Sequence, residues 1–157
     1  MEHDGNGWIR CGQGHRHWGR FGAAGLLLRR AVTDQRGEVL LQHRAVWTAD
    51  GGTWGLPGGA RDSHESAQQA AIREAGEEAG ITHDAVAAFD EFFDDHGAGW
   101  SYTTVVADLV RPVRLIAQAE SEELRWVAVL EVDEFLLHPG FARTWPRLRM
   151  ILEGSPL

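Results

Sequence analysis

Glutamates 74, 77 and 78 stand at i, i+3 and i+4 within Arg73-Glu74-Ala75-Gly76-Glu77-Glu78-Ala79-Gly80. On a helix this spacing projects all three carboxylates from one side of a single turn, where like charges oppose one another by a few tenths of a kcal/mol per pair. They fall in the last turns, where the helix dipole already presents about half a negative charge. Gly76 costs about 1 kcal/mol of helix propensity relative to alanine. Local rules broken together without a local gain mark a functional site. Carboxylate oxygens suit Mg2+, which keeps several waters in near-octahedral geometry, and an all-oxygen set without a Cys/His cluster argues against zinc at the stripe. The alternative is a solvated acidic helix face.

The helix that must carry the stripe is legible. From Ser66 to Ala79, alanines at 67, 71, 75 and 79 recur every fourth residue and form one small-residue face that can lie close on a sheet. At about 100° per residue, Glu74 and Glu78 sit beside that face rather than opposite it. Asp62 with Glu65 reads as a capping box at the start, and Gly80 occupies the place of a left-handed C-terminal residue. Upstream, Phe21 to Ala31, with Leu26, Leu27 and Leu28 in a row, reads as a strand buried on both faces. A turn over Asp34 to Gly37 and a second strand through Val39, Leu40 and Leu41 to Arg44 complete a hairpin. The stretch from Asp50 to Gly59 holds five glycines and a proline, so no long helix or strand fits it. Downstream, 86–93, 102–110 and 124–130 read as strands. The segment 141–152 reads as a closing helix with Pro146 in its first turn. Residues 1–20, rich in Gly, His and Arg, read as a flexible arm ahead of one domain over 21–157. Helices among mixed strands predict an α/β or α+β sandwich.

Composition narrows the function classes. A chain of 157 residues is most simply one domain. Its net charge of −8 would repel a phosphate backbone, so nucleic acid is not expected as a partner. All 15 basic residues are arginine. The single cysteine, Cys11, cannot close an internal disulfide, which fits a reducing compartment. The longest early apolar run, Ala23 to Leu28, is far short of the roughly 20 residues of a membrane helix, and no signal peptide precedes it. A cytoplasmic protein with no membrane partner is the expectation.

With its surroundings the stripe gains specificity. Gly59, five residues, Glu65, seven residues and Arg73-Glu74-Ala75-Gly76-Glu77-Glu78-Ala79-Gly80-Ile81 resemble the Nudix box, G-x5-E-x7-R-E-U-x-E-E-x-G-U with U aliphatic, over 23 of the 157 residues. Ala75 is smaller than the usual aliphatic residue. The lead-in Trp54-Gly55-Leu56-Pro57-Gly58-Gly59 is also similar to that family's. The resemblance implies an α/β/α sandwich with a mixed sheet between helices. It also implies hydrolysis, by water attack on phosphorus with Mg2+ or Mn2+, of a nucleoside diphosphate linked to a further group. A phosphate-rich anion approaching an acidic protein needs dications between them.

Carried over residue by residue, the resemblance makes Glu74, Glu77 and Glu78 metal ligands, with Gly58, Glu65 and Glu120 as further members of the metal site. Arg73 would orient Glu74, and Glu65 would bind metal or hold the loop-helix geometry through Arg73. The general base is either Glu74 or a later loop carboxylate, for which Glu120 is placed best, with Glu122 and Glu123 near by. Without metal, mutual repulsion should raise the pKa values of the clustered carboxylates. Arg44 reads as a phosphate-binding arginine or a surface one. Trp47, Trp54, Trp100 and Tyr102 read as base-stacking candidates or as core and rim residues. His96 is placed in a loop after Asp94-Asp95 and beside Trp100, where it either titrates near the substrate or is a solvated histidine, and Asp90, Glu91, Asp94 and Asp95 are read as solvated. Cys11, His15 and His17 have a C-x3-H-x-H spacing that zinc could use.

Substrate marks are sparse. Gly97 and Gly99 hold the places where the family's ADP-ribose branch shows a proline and its dinucleoside-polyphosphate branch a tyrosine. The upstream motif of the coenzyme A branch is absent. Elimination leaves nucleoside triphosphates in front, oxidised ones included, cut to the monophosphate and pyrophosphate; nucleotide-sugar or ADP-ribose-type pyrophosphatases follow. A silent nucleotide sensor on the same fold is the non-enzymatic alternative, and an isomerase would need a better placed cysteine than Cys11. Homodimerisation is left open.

Overall fold

The computed structural model of the chain describes residues 3–32 and 36–155. In order, the elements are β1 (Trp8–Arg10), β2 (Arg16–Trp18), β3 (Ala23–Arg30), β4 (Glu38–Arg44), β5 (Trp54–Gly55), β6 (Gly58–Ala60), α1 (Ala67–Ala79), β7 (Val86–Gly97), β8 (Trp100–Leu109), β9 (Ser121–Ala128) and α2 (Pro139–Glu153). Short 3-10 turns precede β7 and follow β9. Strands β3 to β9 form one mixed sheet ordered β5-β4-β3-β8-β7, with β6 added beside β3 and β9 beside β4. The β3–β8 pair is parallel and the others are antiparallel.

The Leu26-Leu27-Leu28 run shows why the sheet is covered on both faces. Successive side chains of a strand point to opposite sides, and all three leucines are fully buried. Leu27 joins Val39, Leu41 and Val106 beneath Trp145, Leu148 and Leu152 of α2. Leu26 and Leu28 join Leu40 and Val105 beneath Ala70, Ala71, Ala75 and Ala79 of α1. The result is the α/β/α sandwich the sequence predicts, with Ala75 fully buried in the close α1–sheet contact. Arg29, only 2% exposed, grips both Asp108 oxygens and the Leu152 carbonyl, tying the end of α2 to the two central strands.

Several expectations need correction. The described part of the N-terminal segment is a β1–β2 hairpin with Trp8 opposite Trp18, folded onto the domain rather than left without structure. Its strands are too short for a periodicity to register. The expected turn over 34–37 includes Asp34 and Gln35, which lie outside the described residues. Helix α1 is capped by Ser66 and Gln69 in a reciprocal box, not by Asp62. The Asp62 carboxylate instead accepts from Gly5 N and His3 N. Gly80 does close the helix in the left-handed conformation, at φ 75°. Strand β7 runs on through Asp94, Asp95 and His96, where a loop was expected. Pro146 lies in the middle of α2, and Pro139 takes the first turn. No helix among the described residues is long and apolar enough to cross a membrane.

Candidate active site

The site forms where α1 passes over β6. Backbone pairing of β6 with β3 at Ala23–Ala60, Ala24–Gly59 and Gly25–Gly58 holds the Gly58-Gly59 strand flat. Side-chain-free backbone lets the helix carboxylates come down onto it. Gly58 N donates to Glu78 Oε2 at 3.0 Å. A methyl group on Gly59 would stand 2.6 Å from Glu74 Cδ, inside any tolerable contact. Arg73 fastens the other side. Its Nε and Nη2 donate to the two Glu65 oxygens at 2.7 and 2.9 Å, its Nη2 to the Ala60 carbonyl at 3.0 Å, and its Nη1 to Glu74 Oε1 at 3.0 Å. A weaker bond of 3.3 Å joins Arg73 Nη1 to Glu77.

Burial separates the carboxylates. Glu65 is held below the usual carboxylate range by the Arg73 hydrogen bonds. Glu74 is raised, chiefly by burial, with Arg73 opposing and Glu77 adding. Glu78 is pushed up to about 8 by burial first and the Glu74 charge second, with the Gly58 N–H opposing. Desolvation therefore leads, where the sequence suggested mutual repulsion alone. The side chain of Glu77 is 49% exposed.

The residues present suit a hard dication. Glu78 is a half-buried carboxylate whose hydrogen bonding, among the described residues, comes from Gly58 N, and a carboxylate so desolvated favours a cation or a proton beside it. The stripe is not preformed as a closed cage. Among the described residues, the groups of three whose ligand atoms all lie within 4.8 Å of one another are Asp62/His64/Glu65 and Cys11/His15/His17. The first is engaged by the Gly5 and Arg73 contacts.

Next to the stripe, a cavity of about 220 Å³ runs from Gly58 and Gly59 past Tyr102 and Thr104 to Trp100, with Arg44 on its wall. The acidic helix turn backed by glycine lies within residues 28–148, which match the family model described as a NUDIX domain. The chain belongs to the Nudix family. It is 50% identical to a Mycobacterium tuberculosis protein provisionally named 8-oxo-dGTP diphosphatase 3, over 98% of this chain and 73% of that protein. It is 40% identical to a Bifidobacterium longum nucleoside triphosphate pyrophosphatase/Nudix hydrolase fusion protein, of which it spans 32%. The crystal structure of the Nudix hydrolase RenU from M. smegmatis superposes with a TM-score of 0.90 at 47% identity, covering 98% of each chain. The protein is thus a Nudix pyrophosphohydrolase, of a family whose hydrolases generally use divalent metals.

The remaining predicted residues distribute unevenly around this Nudix site. Arg44, half-buried, lines the cavity and donates from Nε to the Ala49 carbonyl at 2.9 Å. Glu120 is exposed just before β9, its carbonyl accepting from Ala45 N at 2.9 Å, and its charge adds to the rise at Glu78. Glu123 is engaged by Arg125 at 2.9 and 3.1 Å, and Glu122 is exposed. Tyr102 is on the cavity wall, its phenol held above its usual pKa chiefly by burial. Trp54 departs from its substrate-binding expectation: it stacks on His43 at 4.4 Å inside the core and is absent from the wall. Trp47 is 66% exposed. Trp100 is on the wall, but His17 already stacks on its ring at 3.7 Å.

At the far end of the cavity, beside Trp100 and His96, sequence reasoning missed Arg143 and the engagement of Asp94. There Arg143 donates to Asp94 at 2.8 Å, and His96 lies 3.0 Å from the same carboxylate oxygen. Burial would raise Asp94, yet these two partners hold it below its usual range. Asp94 is therefore not merely solvated, unlike the exposed Asp90, Glu91 and Asp95. His138, also on the wall, accepts from Gly140 N at the start of α2, and burial lowers its pKa. The alternation of Asp94 and His96 in β7 was the available signal.

Proposed function

We propose that the protein hydrolyses a nucleoside triphosphate to the monophosphate and pyrophosphate with Mg2+ or Mn2+, and that an oxidised purine nucleotide of the 8-oxo-dGTP kind is its preferred substrate. The supporting observation is the pair of half-buried carboxylates, Glu74 and Glu78, laid on glycine backbone beside a cavity lined by Arg44, Tyr102 and Trp100. Similarity to the mycobacterial diphosphatase supports the choice of an oxidised purine.

Glu74, Glu77 and Glu78, with Gly58 beside them, are the residues that would hold the cations. Bound dications supply a polarised phosphorus, an ionised water and neutralisation of the triphosphate charge. The chain does the positioning. Arg73, held by Glu65 and Ala60, fixes the Glu74 carboxylate. Arg44 faces the phosphates from β4, and Glu120 receives the proton of the attacking water. Tyr102 and Thr104 shape the wall between phosphates and base. Free nucleotides as substrates suit a cytoplasmic enzyme.

The test is a substrate panel with Mg2+, taking 8-oxo-dGTP, dGTP, a dinucleoside polyphosphate, ADP-ribose and a nucleotide sugar, with products identified. The expected result is preferential release of pyrophosphate and monophosphate from 8-oxo-dGTP. Preference for ADP-ribose or a nucleotide sugar would overturn the substrate assignment, and binding of ligands with no product would instead favour a sensor.

A further inference from the structure

The β1–β2 hairpin brings together three residues, Cys11, His15 and His17, that stand apart from the glutamate stripe, His17 also lining the cavity. Cys11 lies across the ribbon from His15, bonded through Cys11 N to the His15 carbonyl at 2.9 Å. His15 immediately precedes β2 and His17 lies within it two residues on, the spacing of one strand face. The Cys11 sulfur and a ring nitrogen of each histidine all lie within 4.8 Å of one another. Donors around a tetrahedral zinc with bonds of about 2.0 to 2.3 Å stand about 3.3 to 3.6 Å apart, so small side-chain rotations close the set.

Two further features belong to this corner. The Cys11 sulfur accepts from Gln13 N at 3.4 Å within a turn closed by Gly14 N to the Cys11 carbonyl, an arrangement that holds the sulfur in place. His17 Nε2 and His96 Nδ1 are both buried without a hydrogen-bond partner among the described residues. Buried polar atoms are ordinarily satisfied, and an exception calls for an ion or water. A soft sulfur and two imidazoles select a zinc-class cation rather than the hard dications of the glutamate stripe.

The geometry points to a second metal site in this protein, a zinc-class cation held by Cys11, His15 and His17 with solvent in the fourth position. Binding transfers the Cys11 thiol proton to solvent. The cation fastens the hairpin turn, whose Gly12 N donates to the His96 carbonyl at 2.9 Å, and it steadies His17 against Trp100 on the cavity wall.

Cobalt(II) titration of the full metal-free chain, with excess Mg2+ present, tests this. Because Cys11 is the only cysteine, a sulfur-to-cobalt charge-transfer band in the near ultraviolet reports this site alone and is blind to the glutamate stripe. One equivalent of cobalt should raise the band together with intense tetrahedral visible bands, and one equivalent of zinc should displace it. Cys11→Ser should abolish the band. His15→Ala alters an exposed residue and leaves the fold intact. It should weaken binding by at least roughly 10- to 100-fold, the loss seen on removing even an outer partner of a metal ligand. Absence of the charge-transfer band in the unaltered chain, or unchanged affinity in His15→Ala, would overturn the site, whatever the substrate panel returns.

Discussion

Glu78 is the carboxylate whose surroundings alter its chemistry most. A pKa near 8 in the folded chain lies above the ordinary carboxylate range that the unfolded chain keeps, so the folded metal-free protein holds an extra proton between the two. The stability this contributes is complete below the ordinary range and is lost as pH rises through about 8. Dications need the ionised form, so they compete with that proton. Apparent Mg2+ affinity and turnover should therefore both climb from about pH 6 to about pH 9, while the metal-free melting temperature falls over the same span. Calorimetry and melting curves across that series check the sign, and a flat Mg2+ affinity would refute it. Removing the charge itself gives a second prediction. Glu77→Gln and Glu78→Gln should each keep the fold and lower turnover by about two to four orders of magnitude, the scale of a lost acid-base or metal-activating group. Near-normal rates in both would remove the stripe from the chemistry.

At the scale of elements, the site depends on how closely α1 approaches β6. Gly59→Ala places a methyl group where the Glu74 carboxylate now lies, and the flexible carboxylate rather than the paired strand will give way. Turnover should drop by about two orders of magnitude, as misplacement of a catalytic group by about 1 Å produces, with circular dichroism unchanged. Activity within a few-fold of the parent would show that the glycine cradle is dispensable. This contact was legible in the sequence because it rests on local spacing: an alanine every fourth residue for the close face, glutamates beside it and Gly80 at the end. What escaped were features decided by distant partners. Ser66 takes the cap because Asp62 is drawn to the Gly5 and His3 amides from the other end of the domain. Strand β7 continues through two aspartates that disfavour a strand, since Arg143 of α2 meets Asp94 across its edge. Pro146 is accommodated within α2 because the faces around it, Trp145 and Leu148, are anchored in the core.

Across the whole molecule, the N-terminal hairpin lies outside the residues matched by the family model, which begins at 28, and yet its His17 lines the cavity beside the stripe. It is fastened at both ends. Asp62 takes the Gly5 amide at 2.9 Å and, through its neighbour Glu65, adjoins the Arg73 clasp on the stripe. Gly12 N holds the His96 carbonyl at the far end, and His17 covers Trp100. None of the seven main-sheet strands needs the hairpin for its pairing, so a chain lacking residues 1–18 should still fold. It loses one wall of the base-binding end and exposes Trp100, while the carboxylates on Gly58 and Gly59 keep their seats. Binding should suffer and chemistry should not: KM for the preferred triphosphate should rise about tenfold, equal to about 1.4 kcal/mol, with kcat within a few-fold. Uniform binding lost without loss of transition-state contacts gives that split. Steady-state kinetics on the truncated and full chains decide it. If kcat falls and KM holds, the hairpin acts through Asp62 on the catalytic helix instead of through the cavity wall.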